Sequence, residues 1–529
     1  MIPRPASPGQ PAGSGAPAVL ADGCVIACER ATRPAGALLQ SWLASSSGWQ
    51  VSLADPDAAP AQNVIVLRLD DQLPAAEGYR LTAGDGMVTI TGKAPAGVFY
   101  GVQTLRQLLP PEFLRTAAAG PVAPVTIPAA EIADQPRLAW RGVHIDVARH
   151  FLPQHWLLRL IDLLALHKLN VLHLHLTDDQ GWRVQIERYP RLTEIGAWRR
   201  ESVLGHSRDR RFDGVPHGGY YSRADLREIV AYAASRFITV VPEIDMPGHM
   251  QAAIAAYPEL GNTGEQLEVR CRWGISSSVL NMEDATLEFC RNVLDEITGI
   301  FPGPYVHIGG DECPTAEWEA SPRAQHRMAE LGLTDERYLQ GWFTGQMAGH
   351  LKSAGKTVVL WDEALESGAP AGAVIMPWRS ELAGRYAAAA GYRVVMAPQY
   401  WTYFDWAQAA GDAEPVAMHA TTSLRRVHAF EPAPPDLAAA RDRVIGAQCQ
   451  LWTEYVPTPQ RAEYQYFPRL CAFAEVAWSP GSGDYGDFEQ RLTGHLRRLD
   501  ALGVNYRPLA GPAPGQARCW PDAAADDLG

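Results

Sequence analysis

Asn170-Val171-Leu172-His173-Leu174-His175-Leu176-Thr177-Asp178-Asp179-Gln180-Gly181-Trp182 reads as a strand over 170–176 that runs directly into a polar cluster. Upstream, residues 154–167 place Trp156, Leu157, Leu160, Ile161 and Leu164 on one stripe, the 3.6-residue period of an amphipathic helix. Before that helix, residues 142–148 form another β-type run. Working outward, similar runs recur at 238–244, 305–309, 357–361, 373–377, 393–397 and 447–452. Most are nearly continuous Val, Ile and Leu, as parallel strands covered on both faces require. Eight strands separated by helical segments predict a (β/α)8 TIM barrel, a fold of about 250 residues before insertions. A doubly wound open sheet is the structural alternative, but no G-x-G-x-x-G follows the first strand.

The chain has 529 residues, 47% apolar and 20% charged, ordinary globular usage that excludes collagen-like, coiled-coil and wholly disordered readings. Short alternating segments such as 64–69 and 87–91, with a helix over 97–109 bearing Phe99, Val102, Leu105 and Leu109, predict a small α+β domain ahead of the barrel. Prolines at 121, 124, 128 and 136 mark a linker. The expected organisation is a disordered tail over 1–21, the α+β domain and linker over 22–136, the barrel over 137–510 and a loosely held tail over 511–529.

The formal net charge of −13 repels phosphate backbones and anionic lipid heads, so neither nucleic acid nor a membrane is an expected partner. The eight cysteines are scattered without paired C-x-x-C elements, which points to neither a structural zinc site nor a disulfide framework. The first 20 residues lack the charged head and apolar block of a secretory signal. A cytoplasmic protein, or one given without its leader, fits equally.

A barrel carries its chemistry at the carboxyl ends of its strands, and here those ends alternate acids with aromatics. Strand two leads to Asp178, Asp179 and Trp182; strand three carries Glu243, Asp245 and His249; strand four leads to Gly309-Gly310-Asp311-Glu312. Strand five gives Trp361-Asp362-Glu363, strand six Trp378, strand seven Tyr400, Tyr403 and Asp405, and strand eight Trp452 and Glu454. Sugar rings lay C–H faces against indoles and phenols and offer hydroxyls to carboxylates, so the mixture fits a carbohydrate. Neighbouring carboxylates such as Asp311 and Glu312 repel, so in an enclosed site one keeps its proton and can donate it to a leaving oxygen. His173 and His175 share a strand face near Asp178 and Asp179, which keeps a barrel metallohydrolase as an alternative. Strands five to eight, however, supply tryptophans rather than further ligands. A non-catalytic carbohydrate-binding barrel is the other alternative.

These residues carry a resemblance to the glycoside hydrolase family 20 β-N-acetylhexosaminidases. The segments concerned are 140–142 with 146–151, 173–183, 242–249, 307–312, 361–363 and 452–454; the helix over 97–109 also resembles one in the family's small N-terminal domain. The resemblance implies an exo-acting enzyme that removes terminal β-linked GlcNAc or GalNAc from glycans or chitooligosaccharides, without a cofactor or metal. Hydrolysis would be retaining and substrate-assisted, the 2-acetamido oxygen replacing a carboxylate nucleophile. Glu312 matches the general acid, Asp311 the partner of the acetamido group, and Asp178 and His249 a relay behind the acid. Arg141 and Glu454 fall on positions that bind the C3, C4 and C6 hydroxyls. Trp361, Trp378 and Trp452 match walls of the acetamido pocket, Tyr403 (or Tyr400) its phenol, and Asp405 a further sugar contact. One site per barrel needs no partner, so a monomer or homodimer is expected.

Overall fold

The computed structural model describes residues 1–10, 16–120, 122–481 and 483–517. Its N-terminal part is a seven-stranded mixed sheet: β1 (Ser7–Gln10), β2 (Val25–Cys28), β3 (Ser52–Ala54), β4 (Val64–Leu69), β5 (Tyr79–Gly84), β6 (Met87–Gly92) and β7 (Ala130–Asp134) lie in the order β1-β7-β5-β6-β4-β2-β3. Helices α1 (Arg33–Ser47) and α2 (Pro95–Leu108) accompany it. α2 is buried from Gly97 to Gln107 because it has no solvent face. On one side a Cβ at Gly101 would lie 2.4 Å from Ile90 in the sheet. On the other, Phe99 and Tyr100 pack on Phe237 and Trp478 of the barrel, with centroids 5.4 and 5.0 Å apart.

The barrel closes through eight parallel strands: β8 (Trp140–Asp146), β9 (Val171–His175), β10 (Thr239–Glu243), β11 (Tyr305–His307), β12 (Thr357–Trp361), β13 (Val374–Met376), β14 (Arg393–Met396) and β15 (Val444–Leu451). β15 returns to pair with β8, Trp140 opposite Gly446 and Ile145 opposite Leu451. β8, β9 and β12 to β15 are buried over nearly their whole length, the double coverage that their composition calls for. The (β/α)8 barrel with a preceding α+β domain is therefore present. No helix among the described residues is long and apolar enough to cross a membrane.

The N-terminal segment expected to be a disordered tail is built into the sheet where it is described. Ser7–Gln10 pairs with Ala130–Asp134, and Ala18–Leu20 pairs with Val125–Ile127. Ile2, Ala18 and Leu20 are fully buried, and the Ile2 N–H donates to Gln107 Oε1. Apolar anchors and a non-local strand partner order it despite its composition. Of the expected C-terminal tail, 518–529 lie outside the described residues, whereas Gln516 donates to Asn505 Oδ1 and the Tyr506 carbonyl.

At two ion pairs between the domains the cation is fully buried. Lys168 Nζ lies 2.8 Å from Asp134 Oδ2, which also accepts from Tyr79 and Trp478. Arg141 forks onto Glu77 at 2.9 and 3.0 Å. Removing one partner of such a pair leaves an uncompensated charge, which makes both pairs registers of how the domains dock.

Candidate active site

The loop after β11 is shaped by two glycines in left-handed conformations, Gly309 at φ +62° and Gly310 at +92°. A Cβ on Gly309 would sit 1.7 Å from Asp245 Oδ1, so only glycine lets the chain pass that close. Asp245 Oδ1 in turn accepts from the Gly310 N–H at 3.0 Å. Glu312 also adopts a left-handed φ of +46°. A non-glycine residue there is strained, and the turn brings both Asp311 and Glu312 to one cavity.

That cavity, about 540 Å³, opens at the carboxyl ends of the barrel strands and is also lined by Arg149, Trp378, Tyr403, Asp405, Trp452 and Glu454. A larger one of about 710 Å³ lies at the opposite end, under Trp140 and Tyr305. Its walls are mostly apolar, and its Glu77 and Asn170 are bonded to Arg141. The carboxylates with unpartnered buried oxygens, Asp311, Asp405 and Glu454, line the smaller cavity.

Asp311 is buried; desolvation first, then the charges of Asp245 and Glu312, push its carboxyl well above the usual range. Its Oδ1 has no hydrogen-bond partner among the described residues. Glu312, with 37% of its side chain exposed, points Oε2 at His249 Nε2 across 3.6 Å. His249 Nδ1 faces Asp178 Oδ1 at 3.2 Å and Asp179 Oδ2 at 3.4 Å. Burial works to lower the proton affinity of His249, but Asp178 overrides it and holds the imidazole well above its ordinary pKa. Burial likewise opposes ionisation of Asp178, while Arg149, 2.8 Å away, and His249 keep its carboxyl well below the usual range. Asp179 is instead tied to the Gln251 and Ser276 backbone N–H groups.

The aromatic wall is continuous. Trp378 stacks on Tyr403 at 6.1 Å and 22°, Tyr403 meets Trp452 at 6.4 Å, and Trp361 lies 6.0 Å from Trp452. Trp361 forms the layer beneath: it is 1% exposed and donates its indole N–H to Glu243 at 2.8 Å. Trp378 donates to Glu363, whose carboxyl is pushed up to about 8 by burial and by the charges of Asp311 and Asp362. On the opposite wall, burial raises Asp405 well above the carboxylate range, aided by Glu454, and raises Glu454 against the pull of Arg149. Asp405 Oδ1 and Glu454 Oε2 have no partner among the described residues. Tyr400, 56% exposed, lies outside the cavity lining, and Tyr403 is the phenol within it.

Arg141 corrects the sequence reading. It lies at the amino end of β8, fully buried, and its donors reach Glu77, Tyr100 and the carbonyls of Leu138 and Lys168. No sugar can reach it there. The cation at the rim is Arg149, just beyond β8, bonded to Gln180 and lying 5.0 Å over the Trp452 ring. Its signal was its place three residues after Asp146, past the end of the strand. Trp273 and Ile275 also line the cavity; they come from a long loop with no periodicity to announce them.

His173 and His175, the pair behind the metallohydrolase alternative, both face Glu243. His173 places Nε2 3.1 Å from it and accepts from Gln448 at Nδ1; His175 bridges Glu243 and Asp178. The ligand atoms of His173, Glu243 and His307 lie within 4.8 Å of one another, as do those of His175, Asp178 and Asp245, so these residues could reach a cation. His175 has a carboxylate at each nitrogen, and Gln448 and Glu243 lie against the two nitrogens of His173, so the cluster is held as an ion-pair network.

Two adjacent carboxylates held at one cavity among indoles are what cleavage of a glycosidic bond asks of a pocket, and the chain is of the glycoside hydrolase class. It belongs to glycosyl hydrolase family 20: the family's catalytic domain matches residues 138–481 and its domain 2 matches residues 1–135. The chain is 41% identical over 497 residues to a beta-hexosaminidase of Porphyromonas gingivalis, covering 93% of this chain and 62% of that protein. It therefore spans less than two thirds of that relative's length. Against a beta-N-acetylhexosaminidase of Cellulomonas fimi the identity is 35% over 516 residues, covering 95% and 96% of the two chains. The solved structure of the family 20 beta-N-acetylhexosaminidase of Streptomyces coelicolor A3(2) superposes with a TM-score of 0.84 at 34% identity, covering 97% of this chain and 98% of that one.

Proposed function

We propose that the protein is an exo-acting β-N-acetylhexosaminidase that removes terminal β-linked GlcNAc or GalNAc from oligosaccharides such as chitooligosaccharides. Hydrolysis is retaining and uses the substrate's own acetamido group. The observation that carries this reading is the buried Asp311 Oδ1, which lacks a partner beside an aromatic wall. A substrate amide N–H satisfies it and so turns the acetamido oxygen toward the anomeric carbon. Burial keeps the Tyr403 phenol protonated, able to donate to that oxygen.

Glu312 gives its proton to the glycosidic oxygen as the bond to the aglycone breaks and the acetamido oxygen closes on C1. The oxazolinium ring carries positive charge, and the Asp311 carboxylate, accepting from the amide N–H, faces it in a pocket where indoles exclude water, so the pairing is far stronger than in solution. Glu312, now a carboxylate, takes a proton from the water that reopens the ring, and two inversions restore the β configuration. Arg149, Asp405 and Glu454 offer one cation and two unsatisfied carboxylates to the remaining hydroxyls, which fixes a terminal sugar.

The test is turnover of p-nitrophenyl β-N-acetylglucosaminide against the matching β-glucoside, which lacks the amide. The expected result is strong preference for the former, with β-anomer as the first product in proton NMR. Comparable rates on the two, or initial α-anomer, would overturn the mechanism.

A further inference from the structure

Beneath the cavity lies a row of charges that extends well past the Asp178–His249 pair. His175 Nδ1 is 2.6 Å from Glu243 Oε2, and its Nε2 is 3.0 Å from Asp178 Oδ2. A neutral imidazole has one N–H; an ionised carboxylate at each nitrogen requires two, so this ring is a buried cation. Glu243, fully buried, also accepts from Trp361 Nε1 at 2.8 Å, with His173 Nε2 and His307 Nδ1, the latter an acceptor for the Gly309 N–H, lying 3.1 and 3.0 Å from it. The row therefore alternates in sign from Glu243 through His175 and Asp178 to His249, which faces Glu312 at the cavity.

We propose that Glu243 and His175 are positioning residues for the general acid: Glu243 keeps His175 a cation, and that cation holds Asp178 in the orientation and charge state that set His249 against Glu312. The inference rests on the hexosaminidase reading and adds two residues to it. The other groups facing His175 are Asp146 and His144 from β8, His173 from its own strand, Asp245 beyond β10 and the Trp452 ring at 4.9 Å. Burial tends to strip the His175 proton, and Glu243 is the largest influence that opposes it, followed by the bond to Asp178. With both carboxylates present the charge persists throughout the working pH range. Without Glu243 it does not.

Glu243→Gln keeps the side-chain shape and removes the charge. Near pH 5, where His175 remains protonated, its kcat is expected within about threefold of the parent; at pH 8 it falls about tenfold or more, because the alkaline limb moves down by about one unit. KM stays unchanged, and the loss concerns substrates with poor leaving groups while a dinitrophenyl glycoside is spared. His175→Gln, with no group to protonate, shows the deficit at every pH. In the unmodified protein, 15N-histidine NMR should show the His175 ring doubly protonated to pH 9, its signal assigned by its loss in His175→Gln. A Glu243→Gln profile parallel to the parent's, or a singly protonated His175 at pH 7, overturns the inference. If the variants do not fold, the NMR measurement decides alone. Failure of the unmodified protein to cleave the N-acetylglucosaminide would instead count against the hexosaminidase reading and leave the His175 charge to the NMR test.

Discussion

Asp311 and Glu312 are chain neighbours with different surroundings, and the difference separates their roles. Asp311 is enclosed with an unpaired oxygen, whereas Glu312 is partly exposed beside His249. Glu312→Gln should lower kcat/KM by roughly 10²–10⁴ on alkyl or sugar aglycones and little on activated phenols, because only the former need a proton. Asp311→Asn should impair every substrate, since all pass through the oxazolinium ion. Equal losses across leaving groups for both variants would contradict the division. The two arginines give a second residue-level contrast. Arg149→Met should raise KM about tenfold or more by removing a donor to the sugar hydroxyls, and lower kcat through its contact with Asp178. Arg141→Met should leave KM alone and destabilise the fold by up to about 3 kcal/mol, read as a lower urea midpoint, because Glu77 keeps some water when its partner is lost.

The strand elements were legible because parallel barrel strands are written as short apolar runs, and β12 coincides with its expected span of 357–361. β8 was legible but is displaced by two residues, 140–146 against the expected 142–148, because Trp140 and Arg141 become strand only by pairing with Gly446 and Ala447 some 300 residues later. Arg141 stands at the amino end of the strand in either register and was assigned to the sugar by the family resemblance alone, whereas Arg149 follows the strand's carboxyl end. The same non-local pairing makes strands of 7–10 and 18–20, where composition alone reads as tail. The acids and indoles at the strand ends were legible as residue types. The bridge from Glu243 through His175 to Asp178 was not, since it depends on side chains from two strands and a loop meeting inside the barrel. The turn after β11 offers the test at this scale. Gly309→Ala must displace the Asp245 carboxylate and abandon a left-handed φ. It should cut kcat far more than it raises KM, with the unfolding midpoint moved only slightly; an unaffected kcat would show that the loop tolerates another path.

At the scale of the molecule, two sets of enclosed carboxylates have opposite pH dependence. Asp178, Glu243 and Glu77 are held below the usual range by cations and hydrogen bonds, against their burial. Their stabilisation is present above the unfolded carboxylate range and is lost as pH falls. Asp245, Asp311, Glu363, Asp405 and Glu454 are held above it, chiefly by burial. For these the folded state prefers the proton, so each lowers stability progressively as pH rises from the unfolded value through the folded one. The unfolding midpoint should therefore peak on the acid side of neutrality. Asp245, raised to about 7 with Oδ2 unpartnered, isolates the effect, because asparagine keeps the acceptor for Gly310 and cannot ionise. The Asp245→Asn protein should gain on the parent between pH 4 and about 7 and hold a constant advantage above that. Thermal midpoints of both proteins across this interval check it: curves that stay parallel throughout would mean that Asp245 has an ordinary carboxylate pKa, and that the turn carrying Asp311 and Glu312 does not rest on a protonated acid.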